Sequence, residues 1–352
     1  MIDTLLIGKI VFIFGMSLFF IKLLIRFAPT LGLVDIPNHR SVHQKVTPRG
    51  AGIAMMLAIV LSDVLFWNEI IFTHLISFIA IFLIFVVGVL DDHRDTTPKT
   101  KFFVIIVAVL LLYVDGLCIN SLGVIFGIDF DLGWLALPYT IFAVAGLTNA
   151  MNLADGLDGL AAGMGIAILS AFAVIGFEYH DPFILYLSLS FITAMSAFLL
   201  FNWNPAKIFM GDSGSLTVGF VIGVLWIKAL PYIQPTVILF LAAIPVMDTL
   251  IVMIRRKRTG KSMFAPDKFH MHHLLLNFFN GNVKKTVIFI VLLQAFYSIL
   301  GYELSTYPHQ RYIIIFFLLN LAILYILLNA MISKQHPFAL RKRKKKTNRP
   351  KH

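Results

Sequence analysis

The stretch IIFTHLISFIAIFLIFVVGVLDDHRDTTPKTK, residues 70–101, is an apolar run from 70 to 90 that ends abruptly in three aspartates, Asp91, Asp92 and Asp95. About 20 mostly apolar residues are what a helix needs to cross a hydrocarbon layer roughly 30 Å thick. Working outward, apolar runs between charge or turn clusters recur along the whole chain. They predict about eleven spans, at residues 4–27, 50–67, 70–90, 102–120, 133–151, 159–177, 182–201, 213–230, 235–254, 286–302 and 311–332. Composition agrees, because 59% hydrophobic against 13% charged side chains over 352 residues excludes an ordinary soluble domain. The 33 phenylalanines exclude disorder, and the single cysteine, Cys118, excludes an intramolecular disulfide framework and a cysteine-based zinc site. The predicted fold class is an all-α polytopic membrane protein.

Lysine and arginine stay on the cytoplasmic side of a membrane. Of 29 such residues, 24 fall in the loops 28–49, 91–101, 202–212 and 255–285 and in the tail after Ile332. This predicts an external N-terminus and a cytoplasmic C-terminus, with Glu69, Glu178 and Glu303 on the outer face. The external segment 121–132, with alternating apolar positions and Gly123 and Gly127, predicts a small β-hairpin. The first run is longer than a signal-peptide core and lacks a small-residue cleavage site, so it reads as a span. The basic tail reads as a solvated stretch beside anionic lipid rather than a nucleic-acid arm. The bilayer, and no nucleic acid, is therefore an expected partner.

The acids are the informative residues. Asp91, Asp92, Asp95, Asp155, Asp158 and Asp212 sit at the ends of apolar runs on the basic side. Two carboxylates about 4 Å apart repel by roughly 4 kcal/mol at an effective dielectric of 20, so the group needs a cation. Oxygen ligands without cysteine favour Mg²⁺, with Mn²⁺ as the alternative, over zinc. Magnesium takes one or two protein carboxylates and completes its shell with water and phosphate oxygens, which points to a phosphorylated substrate.

Each segment also has a plainer reading. DDHRD, residues 91–95, could be a helix end neutralised by Arg94 and Lys99. NAMNLADGLDGLAAGMG, residues 149–165, could be a helix-packing motif with capping aspartates around Asn152, Asp155 and Asp158. NWNPAKIFMGDSGSLTVGF, residues 202–220, reads as a loop turning into a helix capped by Asp212 or Ser213, and such an N-terminus attracts phosphate. In the loop 255–285, His270, His272 and His273 cannot share one helical face. They converge on a ligand from a turn, or lie at an amphipathic interface. Arg255, Arg256 and Lys261 suit either substrate phosphates or lipid headgroups. Asp248, inside the run 235–254, is either functional or a bond to a neighbouring helix.

DDHRD, NLADGLDGLAAG, FMGDSGS and FHMHH, in this order and on these loops, resemble the polyprenyl-phosphate N-acetylhexosamine-1-phosphate transferases. The likeness extends to PNHRSVHQKVTPRGAG, residues 37–52. The resemblance implies a single integral membrane catalytic domain over 1–332 with a basic tail at 333–352, in the cytoplasmic (inner) membrane of a bacterium. It implies Asn152 and Asp212 as magnesium ligands, and Asp155 and Phe209 as uridine contacts, with the Phe209 ring stacked on uracil. Asp91 and Asp92 would stand beside the lipid phosphate, while Asp158 and His270, His272 and His273 would serve turnover or diphosphate binding. The implied reaction moves GlcNAc-1-phosphate from UDP-GlcNAc to undecaprenyl phosphate, releasing UMP. That is the first lipid-linked step of a cell-surface polysaccharide of O-antigen, enterobacterial-common-antigen or teichoic-acid type. Another N-acetylhexosamine, or phospho-MurNAc-pentapeptide, is the alternative donor, although Met271 interrupts the three consecutive histidines usual in the latter branch. A secondary transporter is the rival of another class, but transporters place coupling acids near the midplane. A homodimer is compatible with these motifs.

Overall fold

The structure, a computed structural model, describes residues 4–37, 45–66, 69–94, 96–260, 262, 269–307 and 309–335. Lys261, Asp95, part of the 37–52 motif and the tail beyond 335 lie outside the described residues. The chain folds as α1 (Thr4–Phe27), β1 (Val34–Asp35), β2 (Thr47–Pro48), α2 (Ala51–Leu65), α3 (Glu69–Thr73), α4 (Leu75–Arg94), α5 (Pro98–Val114), β3 (Ser121–Ile125) and β4 (Ile128–Asp131). There follow α6 (Ala136–Ala154), α7 (Leu160–Glu178), α8 (Pro182–Asn202), α9 (Asp212–Ala229), α10 (Ile238–Leu241), α11 (Ala243–Arg258), α12 (Met271–Phe278), α13 (Val283–Glu303) and α14 (Gln310–Gln335).

Each of the eleven expected apolar runs carries helix, although 70–90 is divided at His74 into α3 and α4 and 102–120 is helical only as far as Val114, and fewer are long enough to span. Among the described residues eight helices are long and apolar enough to cross a membrane, or nine if the bent pair α10 and α11 makes one span. At 15 and 17 residues, α2 and α5 fall short of the roughly 20 a span needs. The expected span 102–120 is shifted as well. Thr97 caps α5 early, accepting the Thr100 N–H at 3.2 Å with Pro98 in the first turn, and Gly116 at φ 80° follows its end.

The expected continuous span 235–254 is a correction. Its two helices meet at 89° around Ala242. Pro245 lacks an N–H and sits in the first turn of α11, where a broken ladder is tolerated. The freed backbone groups are satisfied by α13: the Ile244 N–H donates to Gln294 Oε1 at 2.9 Å, and Gln294 Nε2 and Ser298 Oγ donate to the Leu241 carbonyl at 2.8 and 2.9 Å. Irregular backbone at membrane depth persists only with such partners.

The centre of the bundle is α9, with 89% of its apolar window buried, against 22% for α1 and α14. Those outer helices turn large apolar side chains such as Leu318, Leu319 and Ile326 outward, as lipid as solvent allows. Helices in lipid approach closely through small residues. A Cβ on Gly88 of α4 would come within 2.6 Å of the Asp212 carbonyl oxygen, so α4 and the start of α9 are in backbone contact. Gly52 of α2 meets the Ser213–Gly214 backbone in the same way.

The chain is not wholly helical. The expected hairpin is there, β3 pairing antiparallel with β4. A second two-stranded pair, β1 with β2, was not anticipated from sequence. From it the Pro48 carbonyl accepts the Phe209 N–H at 2.8 Å, which ties the first loop to the one before α9.

Candidate active site

Four helices deliver polar groups to the same end of the bundle. Asp92, at the end of α4, is buried and accepts from the α9 N-terminus with both oxygens: the Asp212 N–H donates to Oδ1 at 2.8 Å and the Ser213 N–H to Oδ2 at 3.0 Å. The first N–H groups of a helix have no partner within it, and an anionic acceptor there is favoured. Gly211, immediately before, has φ 73°, and a Cβ there would lie 2.7 Å from the Asp92 Cγ. No other residue type fits both demands.

With its backbone held by Asp92, Asp212 presents its carboxylate to Lys101 Nζ, from α5, and to Asn152 Nδ2, which donates to Asp212 Oδ1 at 3.0 Å. Asn152, on the last turn of α6, also donates to Ser215 Oγ at 2.9 Å. Lys101 Nζ lies 2.9 Å from Asp91 Oδ2 as well, so one ammonium bridges two carboxylates. The other Asp91 oxygen accepts from the Thr96 N–H and hydroxyl at 2.7 and 2.6 Å. Asp91, Asp92, Asn152 and Asp212 thus meet as expected. Lys101 is the group that sequence reasoning missed, since it entered only as one positive charge among 24. Its spacing from the acids carries no signal.

Asp155 caps the C-terminus of α6, partly buried. Burial pushes its carboxyl up to about 7, and the charges of Asp212, Asp92 and Asp158 push the same way. A carboxyl raised from 3.8 to about 7 on folding binds more protons folded than unfolded across that interval. Its contribution to stability is therefore fullest at low pH and is lost as pH rises through 7. Asp155→Asn should raise the thermal midpoint above wild type at pH 8 without divalent cations, with the gain shrinking towards pH 4. Equal midpoints at pH 8, followed by unfolding in detergent, would contradict this.

Asp158 faces elsewhere in the same region. Its Oδ2 accepts from Asn204 Nδ2 at 2.8 Å and from the Ala206 N–H at 3.0 Å, so it holds the loop between α8 and α9. Asn202 shares that work, accepting the Gly159 N–H at 2.7 Å and donating to the Ile208 carbonyl at 2.9 Å. Phe209 lies on this loop, half-buried, with its backbone pinned to Pro48 and to the Ala51 N–H.

The histidines do converge from a helix start. His270 precedes α12 as its cap residue, and its ring stacks on His272 at 5.8 Å and 13°, with His273 4.2 Å beyond. Burial, first, and then the neighbouring His273 push His272 down to about 3, so this ring is neutral at physiological pH. A Cβ on Gly156 would come within 2.7 Å of the His272 Cε1, which docks the histidines against the turn that carries Asp155. Arg255 and Arg256 are buried at the end of α11, with the Arg255 guanidinium 5.3 Å over the Phe269 ring, so they point into the protein rather than outward to headgroups.

Among the described residues no three of His, Cys, Asp or Glu form a ready-made metal cage. The donor chemistry nonetheless suits a hard cation that keeps most of its shell for water and phosphate. Asp91 and Asp212 already share one positive charge, that of Lys101.

A bundle of apolar helices with carboxylates, an ammonium and buried arginines gathered at one end is that of a polytopic membrane protein. By comparison of sequences the chain belongs to Glycosyl transferase family 4, whose profile matches residues 74–230, a stretch that contains Asp91 through Asp212. It is 36% identical over 280 residues to a probable undecaprenyl-phosphate N-acetylglucosaminyl 1-phosphate transferase of Bacillus subtilis, covering 78% of each chain. To undecaprenyl-phosphate alpha-N-acetylglucosaminyl 1-phosphate transferases it is 31% identical over 325 residues in Yersinia pestis, covering 88% of each chain. For Escherichia coli K12 the figures are 32% over 295 residues, with 80% of this chain and 79% of the relative covered.

Proposed function

We propose that this protein transfers GlcNAc-1-phosphate from UDP-GlcNAc to undecaprenyl phosphate, releasing UMP and forming undecaprenyl-diphosphate-GlcNAc. The observation that carries it is the meeting of Asp91, Lys101, Asn152 and Asp212 from four helices at one end of an apolar bundle. There an acceptor phosphate anchored by its isoprenoid chain can reach a water-soluble nucleotide. The relatives' names supply the substrates. The excess of Lys and Arg supports a cytoplasmic position for this end, and the catalytic domain, residues 1–332, is proposed to sit in the cytoplasmic membrane of a bacterium. The product enters a cell-surface polysaccharide.

An oxygen of the acceptor phosphate attacks the phosphorus attached to the sugar, and the bond from that phosphorus to the UMP oxygen breaks. A phosphate monoester with a second pKa near 6 is mostly dianionic at neutral pH. Asp91 is therefore not needed as a base, and with Lys101 it orients the acceptor. Asp212 and Asn152 are the residues that would hold Mg²⁺, which when bound neutralises charge on the nucleotide diphosphate. Asp92 keeps Asp212 in place by capping α9. Asp155 and Phe209 receive the uridine, the ring stacking on uracil. Arg255 and Arg256 counter charge on the outer diphosphate oxygens, and the His270, His272 and His273 group offers them hydrogen bonds.

The test is purified protein with undecaprenyl phosphate, Mg²⁺ and a panel of UDP-sugars, scored for released UMP. UDP-GlcNAc is expected to be the preferred donor, and release to depend on the divalent cation. Preference for another UDP-N-acetylhexosamine would overturn the donor, and no release with any donor would overturn the reaction.

A further inference from the structure

Asp248 is absent from the mechanism above, yet both of its oxygens are committed to the histidine segment. Oδ2 lies 2.8 Å from His270 Nδ1, and Oδ1 accepts the Met271 N–H at 2.7 Å. Asp248 and His270 are only 7% and 6% exposed, so this is an interior contact between α11 and the start of α12. A carboxylate placed among apolar side chains is costly unless it is fully hydrogen-bonded, and here it is. His270 stands at the cap position of α12 but makes no capping bond with its own side chain. Asp248 caps that helix instead, accepting the Met271 N–H from 23 positions away.

The donor inventory then settles the ring. An ionised carboxylate only accepts hydrogen bonds, so His270 Nδ1 is the donor and carries a hydrogen. Nε2 is the nitrogen left for other work. We propose that Asp248 is the positioning residue of the histidine group: it fixes the His270 ring by holding a hydrogen on Nδ1, so that Nε2 is aimed at the diphosphate and donates to it when it too carries a hydrogen. The effect extends through contact, since His270 stacks on His272 and His272 packs on Gly156 beside Asp155. Among the described residues, Asp248 from α11 and His272, backed by His273, from α12 stand against this ring. This inference rests on the transferase reading for what Nε2 does, but not for how the ring is held.

Asp248→Asn is the informative change, because its amide oxygen still accepts the Met271 N–H while its NH₂ faces Nδ1 and removes the acceptor there. The expected result is a kcat for UMP release lower by about 10- to 100-fold, the usual cost of losing the group that orients a functional imidazole. KM for UDP-GlcNAc and the thermal midpoint stay close to wild type. The double variant with His270→Gln should be no worse than His270→Gln alone, since the two act as one unit. Wild-type kcat in D248N, or losses that multiply in the double variant, would overturn the proposal. Should D248N fail to accumulate, Asp248→Glu, which keeps a carboxylate acceptor, is expected to retain more activity than His270→Gln; equal loss would overturn it. Independently of turnover, ¹⁵N shifts of labelled histidines should show Nδ1 of His270 protonated in wild type and not in D248N. An unchanged ring in D248N would overturn the proposal even if the reaction assigned above is correct. A changed ring in a protein that releases no UMP would overturn the reaction alone.

Discussion

Asp212→Ala is expected to lower UMP release from UDP-GlcNAc by about 10³-fold, on the order of 4 kcal/mol of barrier, while leaving the protein folded. The two halves of Asp212 have separate duties. Its backbone N–H is what Asp92 binds, and alanine keeps that bond. Its carboxylate is what Lys101 and Asn152 meet, and alanine removes it. Losing a negative charge next to Asp91, Asp92 and Asp155 relieves repulsion, so the thermal midpoint should hold or rise. Asp212→Asn should retain the bond from Asn152 yet require far more Mg²⁺ for the turnover that remains. Full activity in the alanine variant, or an unaltered Mg²⁺ titration in the asparagine variant, would reject Asp212 as the metal ligand.

Asp92→Ala should fail differently. It strips acceptors from two N–H groups at the buried start of α9, which costs about 2–4 kcal/mol of stability. Activity should fall by about 10²-fold or more, because a displacement near 1 Å is enough to disorganise a reacting geometry. Asp92→Asn, with one acceptor in place of two, belongs between wild type and alanine on both measures. Thermal unfolding alongside UMP release separates the aspartates: Asp212→Ala loses activity only, Asp92→Ala loses activity and stability together. Activity lost without any drop in midpoint in Asp92→Ala would give Asp92 a direct role at the acceptor phosphate instead of a capping one.

Much of this was readable beforehand. An apolar run needs no partner to declare itself, so each of the eleven expected runs carries helix, and the hairpin at 121–131 follows from its alternation and glycines. The carboxylates were legible because acids beside a bilayer are costly and need a reason. The break at Ala242 was not, since Pro245 alone does not distinguish a kinked helix from an 89° turn. What makes the turn stable is Gln294, roughly fifty residues further on. The same limit hid Lys101. Nothing local sets it apart from Lys99, and only the fold lays its ammonium between Asp91 and Asp212, the latter 111 positions away.

Asp158 and Asp248 moved in opposite directions for one reason. By type and spacing Asp158 belongs with the reacting acids, and one of its two oxygens also holds the loop at Asn204 and Ala206. Asp248 looked as much like a helix-bonding residue as a functional one, and it holds the histidine next to the site. From its own residues the chain determines that it is helical, apolar enough for a membrane, and charged with acids at the margins of its helices. Those properties depend on each segment's exchange of water for hydrocarbon, which is local. Which acid caps, which faces a cation and which orients a ring was decided by tertiary structure alone, because a hydrogen bond of about 3 Å between groups such as Asp92 and Asp212, 120 positions apart, exists only once the helices between them have packed.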